Sequence, residues 1–303
     1  MTLEIFGPDQ VREAVPMNVA ITAVRDAFVG LGAGEFEMPV RNALDEGRFL
    51  TMSAYHRPTS SAVVKSVSVV LGRSPAVTGS VAFLTVTGST TYVMDAATVT
   101  SLRTGAVVGV ATDALAPPDA AHLVLLGLGA QAPDQLRAIR VVRPIERVTL
   151  VHRDDAWVRA FRDTWAADLA GLDVEVSTDP SAAVAEADVV CCATPSTVPL
   201  FQANALPSRV HVNAIGAYRL SMRELPDELL AGALVVVDQR EAALEESGEI
   251  HHAMEAGVLE ERDLVELSAV LTGIERPDRT VFKSVGLAIQ DWAIGAVVSG
   301  LKI

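Results

Sequence analysis

The stretch Leu123-Val-Leu-Leu-Gly127-Leu-Gly129-Ala130-Gln131-Ala132 runs an apolar segment into a glycine turn whose spacing has a specific chemical use. The first glycine allows a tight turn, and the second removes the side chain that would keep the backbone away from a pyrophosphate. A small third residue lets the following helix pack close against the strand. That helix turns its N–H groups and the positive end of its dipole toward phosphate. A glycine turn also occurs without a ligand, but here a strand precedes it, a helix follows and further strands lie beyond. The turn therefore predicts dinucleotide binding, with Gly127, Gly129, Ala130, Gln131 and Ala132 around the phosphates. The next strand ends in His152-Arg153-Asp154. An Arg at such a strand end receives the 2′-phosphate of NADP, whereas a carboxylate holds the 2′-hydroxyl of NAD. His152 and Arg153 come first, so NADP(H) is preferred, and Asp154 and Asp155 directly after them keep NAD(H) possible.

Two cations also break their local pattern. Lys65 interrupts Ala62-Val-Val-Lys-Ser-Val-Ser-Val, a run otherwise apolar or hydroxyl-bearing. Arg103 precedes Thr104-Gly105-Ala106, small residues on a helix that could approach a cofactor. Other reactive residue types read as structural. His251-His252 lies among acidic residues without ligand spacing and reads as a solvated helix face, as does Glu245-Glu246. Cys191 and Cys192 sit on an apolar strand as core residues. Ser60-Ser61 and the threonine-rich 85–91 stretch lack a nucleophile elbow. No metal is expected.

The elements that must position these groups fall into two series. Residues 18–31 have helical spacing after Pro16, and four β-rich runs follow: 48–52, 62–69, 80–86 and 91–94. Gly and Pro between them predict a meandering, mostly antiparallel sheet, closed by a helix over 98–115 that stops at Pro117-Pro118. From His122 short apolar strands at 122–126, 147–151, 173–176, 188–192, 209–214, 234–238 and 280–283 alternate with helical stretches. Such alternation predicts a Rossmann-like doubly wound parallel sheet. The fold class is thus α/β: a dinucleotide-binding domain over 114–285, and an α+β domain from 1–113 plus a returning helix within 286–303. Among 303 residues half are apolar and the net charge is −14. A chain this acidic is not expected to bind nucleic acid. No apolar run reaches the ~18 residues of a membrane span. The N-terminal MTLEIFGPDQ lacks a signal-peptide pattern, and the two adjacent cysteines suit a reducing compartment, so a cytoplasmic location is expected.

Several motifs occur in order along the chain. They are Met38-Pro-Val-Arg41, the strand with Lys65, Asp95-Ala-Ala-Thr-Val-Thr-Ser-Leu-Arg103-Thr104-Gly105 and the glycine turn. Then come Ala187-Asp-Val-Val with Ala193-Thr194-Pro, His211-Val-Asn213-Ala-Ile-Gly216, Glu246-Ser-Gly248-Glu249 and Val281-Phe-Lys-Ser284-x-Gly286-x-Ala288-x-x-Asp291. Together they resemble the ornithine cyclodeaminase/μ-crystallin family over nearly the whole chain. The resemblance implies an NAD(P)-dependent homodimeric enzyme acting on imino or amino acids, with substrate site and dimer contact on the first domain. It makes Arg41, Lys65 and Arg103 the substrate-carboxylate and catalytic cations, Thr104 a phosphate contact, and Thr194 and Ser284 cofactor residues. The chemistry agrees: Arg grips a carboxylate bidentately, and a Lys whose pKa is lowered by burial can pass a proton to an imine nitrogen.

One departure bears on the reaction. Cyclodeaminases of this family carry an Asp two residues after the glycine matching Gly216, and here Tyr218 stands in that place. The resemblance is closer to the μ-crystallin (ketimine reductase) branch. It implies NAD(P)H-dependent reduction of carboxylate-bearing imines such as pyrroline-2-carboxylate. Amino-acid or opine-type dehydrogenation, cyclodeaminase-type ring closure and an NADP-regulated small-ligand binding protein are the alternatives.

Overall fold

Strict alternation along residues 61–69 puts Ser61, Val63, Lys65, Val67 and Val69 on one buried face of a strand. In the computed structural model, which describes residues 2–301, this strand is the centre of a seven-stranded sheet. The chain divides into two compact units, one of residues 1–110 with 287–303 and the other of residues 111–286.

The first unit opens with β1 (Thr2–Phe6), α1 (Pro8–Ala14) and α2 (Met17–Gly32). The short strands β2 (Phe36–Glu37) and β3 (Asn42–Leu44) come next. They lead into a meander of β4 (Phe49–His56), β5 (Ser61–Val69), β6 (Val77–Thr85) and β7 (Thr90–Asp95). The sheet runs β1-β7-β6-β5-β4-β2, antiparallel through the meander, with β3 on β4. The edge strand β1 lies parallel to β7. It was not expected from sequence, because its mostly exposed residues show no buried-face alternation. Helix α3 (Ala96–Leu115) follows, with Asp95 Oδ1 accepting from the N–H and hydroxyl of Thr98 at its start. The division between the units falls inside this helix.

The second unit carries β8 (His122–Leu126), α4 (Ala132–Val142), β9 (Arg147–Val151), α5 (Asp155–Thr164), α6 (Ala166–Leu169), β10 (Asp173–Ser177), α7 (Pro180–Ala183), β11 (Val189–Cys192) and β12 (Val210–Ala214). It continues with α8 (Asp227–Ala231), β13 (Leu234–Val237), α9 (Arg240–Glu246), α10 (Gly248–Glu255), β14 (Leu264–Glu266), α11 (Leu267–Val270) and β15 (Arg279–Lys283). All eight strands pair in parallel, in the order β10-β9-β8-β11-β12-β15-β13-β14. The chain leaves β8 for β9 on one side and returns to β11 on the other, so the sheet reverses direction between β8 and β11. Ligands of open α/β sheets bind at the carboxyl ends of strands at such a reversal. Every residue of β8, β11 and β12 is buried, as strands covered on both faces require.

The last helix, α12 (Ala288–Val298), completes the first unit, packing on α2 and on the buried face of β5. Its Trp292 is fully buried, meets Phe36, His56 and Phe83, and donates its indole N–H to Ser61 Oγ at 2.9 Å. Gly295 lets the helix lie against Phe83, since a Cβ there would fall 2.6 Å from that ring. Among the described residues no single helix is long and apolar enough to cross a membrane.

Candidate active site

The glycine turn joins β8 to α4. Gly127 has φ +99°, where L side chains are strained, and a Cβ would fall 2.7 Å from the Ala193 carbonyl. A Cβ on Gly129, in contrast, would meet nothing within 4 Å. The absence of a side chain at Gly129 therefore serves something other than the folded chain itself, as a backbone that must receive a pyrophosphate would require. Gln131 Oε1 is buried and has no hydrogen-bond partner among the described residues. Ala130 and Ala132 complete the turn, Ala132 donating its N–H to Gly129 O at 3.1 Å. These residues fit a bound dinucleotide phosphate.

At the end of β9 the imidazole of His152 stacks on Trp157, with ring centroids 5.7 Å apart. The Trp157 indole N–H donates to Leu128 O at 2.8 Å and so ties this loop to the glycine turn. Asp154 Oδ1 accepts from the N–H groups of Ala156 and Trp157 and caps α5. Of the two carboxylates that keep NAD(H) possible, Asp154 is thus committed to a helix start, while Asp155 stands exposed in the first turn of α5. Arg153 is exposed and has no side-chain partner among the described residues. In the sequence the one signal of Trp157 is a large aromatic on the exposed side of a helix start.

In the first unit Lys65, from β5, is only 2 % exposed, and its Nζ lies 2.9 Å from Asp291 Oδ1. Arg103, from α3, is also buried; its Nε is 3.7 Å from the same oxygen and its Nη1 donates to Gln290 Oε1 at 2.5 Å. Burial lowers the Lys65 pKa from 10.5 to about 8; Asp291 opposes the shift, while Arg103 and half-buried Arg41 add to it. Two further atoms here, Asp291 Oδ2 and Gln290 Nε2, are buried without a hydrogen-bond partner among the described residues. Arg41, Lys65 and Arg103 are thus gathered into one electrostatic group. No role for Asp291 or Gln290 follows from the sequence alone. Their signal was two polar residues inside an otherwise apolar helix, since a carboxylate is rarely buried without a cation. Thr104 is buried, and its hydroxyl donates to Thr100 O at 2.6 Å.

Thr194 and Ser284 lie just past β11 and β15, at the carboxyl edge of the parallel sheet. Their hydroxyls are both donated to buried carboxylates, Thr194 to Glu224 Oε1 and Ser284 to Asp238 Oδ2, each at 2.8 Å. Asp238 Oδ2 also accepts from the N–H groups of Val285 and Gly286. Tyr218 follows β12, with the Arg219 guanidinium 5.1 Å from its ring centroid. The structure places the sequence-derived residues in two sets, the three cations and Thr104 in the first unit and the turn and loop residues in the second.

Against known proteins, the sequence profile of the ornithine cyclodeaminase/mu-crystallin family matches residues 6–300. The chain belongs to this family. Among family relatives, a Delta(1)-pyrroline-2-carboxylate reductase of Bacillus cereus is 32% identical over 305 residues, covering 95% of this chain and 93% of the relative. Ketimine reductase mu-crystallin of Mus musculus is 33% identical over 303 residues, covering 96% and 86%. A solved Thermococcus litoralis Delta(1)-pyrroline-2-carboxylate reductase, in complex with NADH and L-proline, superposes with a TM-score of 0.91 at 27% identity, over 98% of this chain and 97% of that one.

Proposed function

We propose that the protein is an oxidoreductase that uses NADP(H) in preference to NAD(H) to reduce imines bearing a carboxylate, cyclic ketimines such as pyrroline-2-carboxylate among them. The observation that carries this reading is Lys65, a buried ammonium held by Asp291 beside two guanidinium groups. When bound, the dinucleotide supplies a hydride to the imine carbon. Gly127, Gly129, Ala130, Gln131 and Ala132 would hold its pyrophosphate, and Thr104, Thr194 and Ser284 would contact it. Arg153 and His152 would receive the 2′-phosphate, a role favoured by the exposed Arg153 having no side-chain partner among the described residues and by the capping duty of Asp154.

Arg41 and Arg103 would grip the substrate carboxylate and orient the C=N bond. Lys65 would donate its proton to the imine nitrogen, making the carbon more electrophilic. Asp291 Oδ2, without a hydrogen-bond partner among the described residues, is an acceptor suited to the N–H that results, and Gln290 Nε2 is a donor suited to the carboxylate. A pKa of about 8 keeps Lys65 charged at neutral pH and still able to release a proton. Tyr218 cannot serve as the carboxylate that deaminating ring closure would call on. The B. cereus and T. litoralis relatives support the same substrate class.

The assembly proposed is a homodimer. The sheet face opposite Lys65 carries Ile5, Val93, Ala82 and Val64 in one cross-strand row and Leu3, Thr91, Leu84 and Ala62 in the next. Leu3, Ile5 and Val64 on it are exposed, an apolar patch suited to a second copy. The function is tested by following NADPH oxidation with a series of cyclic and open imino acids, with and without ammonia. Ammonia-independent reduction of pyrroline-2-carboxylate is expected. Background rates with every imine, together with release of ammonia and proline from ornithine, would overturn the reading.

A further inference from the structure

Glu224 is fully buried and spends both carboxylate oxygens on the backbone of two loops. Oε1 accepts from the N–H of Thr194 at 2.6 Å and from its hydroxyl at 2.8 Å. Oε2 accepts from the N–H groups of Gly216 at 2.8 Å and Ala217 at 3.2 Å. These loops leave the carboxyl ends of β11 and β12, adjacent strands just past the reversal of the sheet. They touch backbone to backbone, since a Cβ on Gly216 would fall 2.3 Å from Thr194 N and from its carbonyl oxygen.

The segment bearing Glu224 is itself held. The Glu224 N–H donates to Glu249 Oε1 at 3.0 Å, and Glu249 Oε2 lies 3.1 Å from Lys283 Nζ. Lys283, at the end of β15, donates in turn to the Ala217 carbonyl. Gly248 admits the Met222 carbonyl so closely that a Cβ would fall 1.9 Å from it. Four donors converge on one carboxylate, and all four would be left without an acceptor if it were lost. A buried donor left unsatisfied costs its full desolvation penalty.

We propose that Glu224 is a positioning residue whose ionised carboxylate fixes the loops after β11 and β12 in the arrangement that receives the dinucleotide, so that cofactor affinity depends on this carboxylate. The proposal rests on the dinucleotide reading above. The charged and titratable groups facing Glu224 are Lys283 on β15, Glu249 on α10, and the thiols of Cys191 and Cys192 on β11. Burial raises the Glu224 pKa from 4.5 to about 7; Lys283 opposes the rise and Glu249 reinforces it. Protonation turns one oxygen from acceptor into donor, facing N–H groups that need an acceptor. The clamp therefore weakens as pH falls through this range.

The test uses the full-length protein and measures NADH binding by quenching of tryptophan fluorescence between about pH 6 and 8.5. NADH is chosen because its phosphates do not titrate in that interval. Wild-type affinity is expected to rise with pH through the Glu224 transition. Glu224→Gln, which places an amide NH2 among N–H donors, should bind NADH about 10-fold more weakly at the upper end and lose the pH slope. At saturating cofactor its kcat should stay within about three-fold of wild type, so that the loss lies in KM. Thr194→Val, which removes one of the four donors, should show a smaller loss with the slope retained. A folded Glu224→Gln protein with wild-type affinity and slope overturns the proposal. If that variant does not fold, a flat wild-type profile overturns it and a sloped one, with the slope retained in Thr194→Val, supports it. Failure of wild type to bind NADH or NADPH at any pH would instead overturn the dinucleotide reading itself.

Discussion

A lysine 2 % exposed in a β-sheet is an expensive residue, and its surroundings show what keeps it there. Asp291 supplies one negative charge at 2.9 Å, and Arg103 and Arg41 supply positive charge that works against the ammonium. Lys65 is therefore held near the edge of losing its proton. In the unfolded chain it titrates near 10.5 and in the folded protein near 8, so between these values the unfolded state binds more protons. The Lys65 contribution to stability accordingly rises with pH across that window, and its burial cost stands in full below about 8. For catalysis the sign reverses. Imine reduction needs the protonated form, so kcat/KM is expected to fall as pH climbs through about 8. Lys65→Met should cut turnover by about 10²-fold or more while NADPH binding stays at the wild-type level. Asp291→Asn removes the charge that raises the Lys65 pKa, so the descending limb of the pH–rate profile should move to lower pH. An unmoved limb would show that Lys65 is not the group titrating.

At the scale of elements, two glycines of one turn make opposite demands. Gly127 is needed by the fold, with positive φ and the Ala193 carbonyl 2.7 Å from where a Cβ would be. Gly127→Ala is expected to lower Tm and weaken cofactor binding together. Gly129 is not needed by the fold, since a Cβ there meets open space. Gly129→Ala should leave Tm within the error of the melt yet weaken NADPH binding by about 10-fold, because the methyl stands where backbone must approach pyrophosphate. Equal affinity in that variant would mean the phosphates lie elsewhere. The turn was legible in the sequence because β8, buried along its whole length, ends in the apolar run Leu123–Leu126 with the glycines directly after it. The meander was legible through β-rich runs separated by Gly and Pro, and Lys65 through interrupting a run otherwise apolar or hydroxyl-bearing. What was not legible has physical reasons. β1 is largely exposed and carries no buried-face pattern. Glu224 acts by accepting backbone N–H groups from loops, which leaves no trace in side-chain spacing. Asp291 was visible as a motif residue, but its partner Lys65 stands 226 positions away.

At the scale of the whole chain, that separation divides the two units by how they can be completed. The second unit is one continuous stretch, 111–286, whereas the first needs 287–303 as well as 1–110. Helix α12 brings Gln290 to Arg103, Asp291 to Lys65, and Trp292 to Phe36, His56 and Phe83. Truncating a buried Trp to Ala typically costs about 3–5 kcal/mol. That is a large share of the roughly 5–15 kcal/mol by which a domain is stable. A chain ending at Gly286 forfeits this contact and leaves Lys65 and Arg103 as buried cations without their partner carboxylate. The truncated protein is expected to lose imine reduction altogether and to expose residues 1–110 to limited proteolysis. It should still bind NADPH, because the turn and every strand of the parallel sheet are present. Trp292→Ala in the full chain should fall between, with a lower Tm, retained NADPH binding and reduced turnover. Proteolysis mapped by mass spectrometry, alongside NADPH fluorescence, reads both halves of the expectation. Imine reduction surviving the truncation would remove Asp291 from the chemistry and leave the Lys65 pKa to be set by burial and the neighbouring cations.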